Sequence, residues 1–338
     1  MDSSSPAARK TPGLVWAGAA VLLFAVSALR PQGTDLVSRA YPARISPDVS
    51  FDAVVSSQPF PPVKCPVPVI GWKEHPEEIH VAPNGALVFP AAALPGGLYL
   101  LPRVQVGRPS PLTLLDANTV AQELIDGYLP GVRSEWKLDG VSLRQLAFAT
   151  LLEAPVMRSG RETLMAVVRW AVKNGSGREE PVRLSFTAGQ AASGQSLFKM
   201  PPAYPGRLVF KPPFVLLADG RILMRVAAAG ASVSFPPGAG APAPAGNRVS
   251  GSELLVDFRI KPGETRVVDL FVPYFPAVVE KTGDMERLAV EPQLEVFRNF
   301  WTHELDRGAQ FIVPEKRVRD AYRAAIARRA ALAATASR

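Results

Sequence analysis

The chain has 338 residues, 47% hydrophobic and 20% charged, with a net charge of +8. That is ordinary globular composition with room for one large core or two modest ones, which excludes wholesale disorder. The positive charge is scattered, with no dense Lys/Arg block among aromatics, so nucleic acid is not an expected partner.

Residues 1–29 read as a signal peptide or signal anchor. Arg9 and Lys10 precede an apolar run over residues 11–29, and Arg30-Pro-Gln-Gly33 ends it. A positive segment followed by an apolar one and then small residues is an export pattern, and any membrane contact is expected only through residues 11–29. An extracytoplasmic place, periplasmic or secreted, follows as the expectation. Residues 30–65 form a Pro-rich lead-in, where Pro42, Pro47, Pro59, Pro61 and Pro62 interrupt every candidate element. Cys65 is the single cysteine, which rules out an intramolecular disulfide and any thiolate metal cluster.

Residues 66–285 read as a β-sandwich domain. The whole chain carries 34 prolines and 26 glycines, which argue for many turns and short strands. Asn84-Gly85, Asp139-Gly140 and Asp219-Gly220 each separate two apolar runs. Asx-Gly pairs supply the positive φ angles of a tight hairpin. A longer turn at Asn174-Gly-Ser-Gly177 separates Thr163–Val172 from Val182–Ala188, and Lys261-Pro-Gly-Glu264 leads into Thr265–Val272. Leu254, Val256, Phe258 and Ile260 alternate with Leu255, Asp257 and Arg259, the period of a strand with one apolar face. The fold class is mainly β, with two antiparallel sheets packed face to face. One segment dissents: Val120, Leu124, Ile125 and Tyr128 fall at helical spacing, which predicts a short helix over Thr119–Tyr128. Pro236–Gly246 reads as a surface loop of low complexity.

The period changes towards the C-terminus. Leu294, Phe297, Trp301 and Leu305 form one helical stripe, with Pro292 in its first turn and Gly308 beyond its end, so residues 286–308 read as a linker helix. Residues 309–338 hold a short extended piece, Phe311-Ile-Val313, and a further helix opening at Pro314-Glu315 with Val318, Tyr322 and Ile326 on one side. That helix either docks on the β domain or begins a helical domain.

Trp301, then Ile312-Val-Pro-Glu315, then Arg319-Asp-Ala-Tyr-Arg-Ala324 resemble the junction of six-hairpin glycosidases. In those enzymes a β-supersandwich is joined by a linker helix to an α/α barrel. Trp136-Lys-Leu-Asp-Gly-Val141, Arg169-Trp-Ala-Val-Lys-Asn174 with Val182-Arg-Leu-Ser-Phe186, and Ile260-Lys-Pro-Gly-Glu-Thr265 with Val272-Pro-Tyr274 look like the supersandwich itself. The resemblance spans residues 66–327 in general pattern and is specific at 297–324. It implies domain-junction roles for Phe297, Trp301, Ile312, Pro314 and Tyr322. It also implies that the family's acid and base, carried by the barrel, correspond to nothing before residue 338, so no catalytic residue carries over. The expected function is therefore a non-catalytic accessory domain of an exported glycoside-hydrolase-like protein. A standalone carbohydrate-binding or envelope scaffold protein is the alternative. An oligo- or polysaccharide and a separately encoded α/α barrel are the expected partners.

Local constellations add little. Glu77-Glu78 would point to opposite faces of a strand, and Glu179-Glu180 reads as solvated charge in a turn. His75 and His80 flank a proline at a spacing that matches no metal motif, and His303 is remote, so all three read as surface histidines with no metal. No phosphate-binding glycine loop or Gly-x-Ser-x-Gly elbow is present, and no cofactor is expected. Trp72, Trp136 and Trp170 would serve as sugar-stacking platforms if exposed, and as core residues otherwise.

Overall fold

The computed structural model describes residues 68–90, 97–107, 110–159, 161–190, 204, 208–235, 253–308 and 315–332. The leader, the Pro-rich lead-in, Cys65, the 236–246 loop and the junction residues Ile312 and Pro314 lie outside the described residues. Among the described residues no helix is long and apolar enough to cross a membrane.

Two antiparallel sheets of eight strands carry the fold, as the turn and strand signals require. The first runs β1 (Val69–Gly71), β2 (Glu78–Val81), β3 (Leu87–Phe89), β4 (Leu98–Val106), β10 (Glu180–Gln190), β15 (Glu253–Ile260) and β14 (Ser232–Ser234), with β5 (Thr113–Leu114) also on β4. The second runs β11 (Leu208–Lys211), β12 (Phe214–Leu217), β13 (Ile222–Ala227), β16 (Thr265–Pro273), β9 (Leu164–Asn174), β8 (Val141–Leu151), β7 (Leu129–Leu138) and β6 (Ala121–Ile125).

The alternation over β15 sends Leu254, Val256, Phe258 and Ile260 into the core, as its period predicts. Matching inward rows from β10 (Val182, Leu184, Phe186) and β9 (Val168, Trp170, Val172) fill the space between the sheets, and Trp170 meets Phe186 with ring centroids 6.0 Å apart. The three Asx-Gly turns join β2–β3, β7–β8 and β12–β13 as hairpins. The first is buried. The chain from Val81 to Phe89 is shielded throughout, and the tip glycine Gly85 presses on the rings of Trp136 and Trp170.

The turns at Asn174–Gly177 and Lys261–Glu264 are arches that carry the chain between sheets, from β9 to β10 and from β15 to β16. They are stapled together: the Asn174 amide donates to the Glu264 carbonyl at 3.0 Å, and the Gly263 amide donates to the Asn174 carbonyl at 2.8 Å. The buried Asn174 side chain donates in turn to the carbonyls of Arg178 and Ile260 at 2.7 and 2.9 Å. One segment differs from the sequence expectation: Thr119–Tyr128 contains the edge strand β6 and not a helix. Its helical spacing is overridden by pairing with β7 and by Asp126-Gly127, an Asx-Gly turn at φ 54° and 86° that no helix accommodates.

After β16 come a short 3₁₀ turn (Val279–Lys281), α1 (Thr282–Glu286), α2 (Val290–Asp306) and α3 (Lys316–Leu332). Arg225 closes α1, donating to the carbonyls of Met285 and Leu288 at 3.0 and 2.8 Å. Helix α2 lies across one end of the outer face of the second sheet. Phe297 sits on Phe148 at 5.2 Å, Thr150 donates to Gln293 at 3.2 Å, and Val290, Phe297, Trp301 and Leu305 are buried. Helix α3 docks on the sandwich through its small residues. Ala327 and Ala331 are buried, the Glu74 amide donates to the Ala330 carbonyl at 3.3 Å, and Arg323 lies 4.3 Å over the Tyr128 ring.

Candidate ligand groove on the open face of the second sheet

Helix α2 covers only part of the outer face of the second sheet. Beside it, over β6, β7, β8 and β9, lies an open groove of about 550 Å³. Strand alternation places its side chains: Trp136, Leu143, Trp170 and Val172 point into the core, so their neighbours point out.

Register then fixes three rows. The row nearest α2 is Glu123–Arg133–Leu146–Arg169–Asp269. The next is Ala121–Glu135–Arg144–Ala171–Val267, and the third, outside the groove proper, is Lys137–Ser142–Lys173–Thr265. Charged groups of both signs thus alternate along a partly apolar floor of Ala121, Leu146, Ala171 and Val267.

The arginines differ in how fully they are occupied. Arg169 makes a bidentate pair with Asp269, both bonds at 2.7 Å, and also donates to Glu291 in the first turn of α2. These bonds, the Asp269 pair first, raise the Arg169 guanidinium above its ordinary value, and Arg169 holds the Glu291 carboxyl below its own. Arg169 is therefore a latch between sheet and helix. Arg144 pairs with Glu135 at 3.1 Å across β7 and β8. Arg133 is held loosely: Glu123 and Asp126 stand 3.8 and 3.7 Å away, beyond hydrogen-bond reach. Asp126 is instead engaged by Arg298 of α2 at 2.9 and 3.2 Å. The groove therefore presents guanidinium donors and carboxylate acceptors on rigid strands, with one guanidinium underused.

The three tryptophans singled out in the sequence are elsewhere. Trp72, Trp136 and Trp170 are 0%, 1% and 2% exposed, so the condition for sugar stacking is not met. Trp72 stacks on Phe300 of α2 at 4.2 Å, and Trp136 stacks on Trp170 at 5.8 Å between the sheets. All three are core residues: β7 and β9 turn Trp136 and Trp170 inward, and Trp72, just after β1, is covered by the aromatic residues of α2. Of the junction residues, Phe297 and Trp301 lie on the buried face of α2, and Tyr322 lies half-buried on α3.

Two further expectations are corrected. His75 is not a surface residue: it is buried, its Nδ1 accepts from the Glu77 amide and its Nε2 stands 3.1 Å from the Glu162 carbonyl, which assigns the proton to Nε2. His80 contacts Glu78 at 2.9 Å. Glu180 is likewise buried, paired with Arg178 at 2.6 Å, while Glu179 meets Arg259 at 3.2 Å. Among the described residues no group of three His, Cys, Asp or Glu is arranged to hold a metal ion.

Sequence reasoning missed the groove residues Arg133, Glu135 and Arg144. Their signal was present as the alternating charges Arg133, Glu135 and Lys137 before Asp139-Gly140 and as Arg144 after it. What it lacked was the register that joins those positions into rows. No protein-family model matches the chain, and no curated protein matches it.

Proposed function

We propose that this chain is a non-catalytic binding module of glycosidase-like type, which receives an oligosaccharide in the groove on the open face of its second sheet. The observation that carries the reading is the Glu123–Arg133 and Glu135–Arg144 array. Planar charged groups standing side by side on rigid strands offer paired donors and acceptors to vicinal hydroxyls, while the floor of Ala121, Leu146 and Ala171 accepts the apolar edge of a sugar ring. Each groove carboxylate faces an arginine, an arrangement that suits hydrogen bonding more than proton transfer to a leaving oxygen. The apolar run over residues 11–29 behind Arg9 and Lys10 supports an extracytoplasmic place for the module.

The test is calorimetric titration of the whole chain with maltohexaose, cellohexaose and hexagalacturonate, alongside a reducing-end assay. The reading requires saturable binding of at least one of them, weakened about tenfold by Arg133→Ala with Arg144→Ala, and no release of reducing ends. Absence of binding to all three, or hydrolysis lost on replacing a carboxylate of this chain, overturns it.

A further inference from the structure

The third row of the same face lies just outside the groove and has a different character. Lys137 and Lys173 are both exposed and stand in register through Ser142 on the strand between them. Two interstrand steps place their backbones roughly 10 Å apart. Neither has an ion-pair partner among the described residues, in contrast to Arg144 and Arg169 in the neighbouring rows. Arg133, held by Glu123 and Asp126 only at 3.8 and 3.7 Å, retains guanidinium donors for a ligand beside these two unpaired lysines.

Resting on the groove reading above, we propose that the bound oligosaccharide is acidic, carrying carboxylate or sulfate groups that Lys137, Lys173 and Arg133 receive. The choice between an acidic glycan and a nucleic acid follows from Glu123 and Glu135. These two carboxylates stand inside the array and accept hydrogen bonds from ring hydroxyls, which an acidic sugar carries beside each anionic group and a phosphodiester backbone does not. A ligand with hydroxyls facing the glutamates and spaced anionic groups facing the lysines satisfies both. The half-buried Ser142 between the two lysines adds a neutral hydroxyl to the row.

The experiment compares hexagalacturonate, a heparin-derived hexasaccharide, maltohexaose and a single-stranded hexanucleotide, at low and moderate salt. Each is titrated into the full chain and into the Lys137→Gln, Lys173→Gln double variant. Both substitutions are at exposed positions, and circular dichroism checks that the variant is folded. The expected result is that one or both acidic sugars bind about tenfold more tightly than maltohexaose at low salt. That advantage should vanish in the double variant and shrink as salt rises, while maltohexaose binding is unchanged. Preference for hexagalacturonate alone or for the heparin fragment alone identifies the anionic group as carboxylate or sulfate. Equal binding of acidic and neutral sugars overturns the inference and leaves the groove reading standing. Hexanucleotide binding as tight as that of the acidic sugars also overturns it, and absence of any sugar binding removes the groove reading itself.

Discussion

Gly85 shows how much a single position carries in this sandwich. It sits at φ 79° in the β2–β3 turn, and a methyl group there would come within 2.7 Å of the Trp170 ring and 3.2 Å of the Trp136 ring. Gly85→Ala therefore combines left-handed strain with overpacking of the tryptophan stack, and a loss of about 2–4 kcal/mol in chemical denaturation is expected. Gly177→Ala is the control: nothing lies within 4 Å of the added methyl, and its stability should match the parent within about 0.5 kcal/mol. The sequence showed that Asn84-Gly85 turns the chain. It could not show that the turn is buried, because burial depends on strands that arrive much later in the chain.

Glu162 makes a pH-dependent contact on the loop between β8 and β9. Partial burial pushes its carboxyl up, but the Arg158 and Ser159 amides and the Ser159 hydroxyl donate to it and hold it at about 2. A depressed carboxyl contributes above its ordinary pKa, and the contribution is lost as pH falls through the folded value. The loop should therefore keep its contacts from neutral pH down past the normal glutamate range and loosen only near pH 2. Carbon-detected NMR titration of the Glu162 carboxyl reads this directly, and a midpoint near 4.5 would contradict it. Glu153 on the same loop is shifted the same way: burial raises it, but the Thr163 amide and hydroxyl and Lys281 prevail.

At the scale of elements, α2 links the sheet to the helical end of the chain. The spacing of Leu294, Phe297, Trp301 and Leu305 made this helix legible in advance, and the structure places its stripe against Phe148 and Trp72. Trp301→Ala should cost about 3–5 kcal/mol in denaturant unfolding, because the ring is fully buried and packs edge-on against Trp72 and Phe300. Breaking the latch by Glu291→Gln should cost less than about 1 kcal/mol, since Glu291 is 69% exposed and Arg169 retains Asp269. Strand β6 was illegible for a physical reason. Its apolar residues fall at helical spacing by chance, while its conformation is set by hydrogen bonds to β7 and by the turn at Asp126-Gly127. The arches at Asn174 and Gly263 were legible as turns. Local chemistry specifies reversal of the chain but not which sheet receives it.

At the scale of the whole molecule, the two sheets are unequal in what they leave open. The second sheet gives one end of its outer face to α2 and keeps the other end as a groove with balanced charges and a cationic border. Alternation predicts that each strand has an outer face, so the existence of such a surface was implicit in the sequence. Its composition was not, because Arg133, Arg144 and Arg169 come from three separate strands and meet only through register. The same alternation places Trp136 and Trp170 in the core: they share β7 and β9 with groove residues but occupy the opposite parity.

The most direct measurement is lysine-reactive footprinting of the intact chain with and without saturating hexagalacturonate, read by mass spectrometry. The account predicts protection of Lys137 and Lys173 at the border of the groove, with Lys261 and Lys281, on the inter-sheet arch and the 3₁₀ turn, unchanged. Unaltered reactivity at Lys137 and Lys173 while the sugar is bound, or protection confined to other lysines, would contradict it.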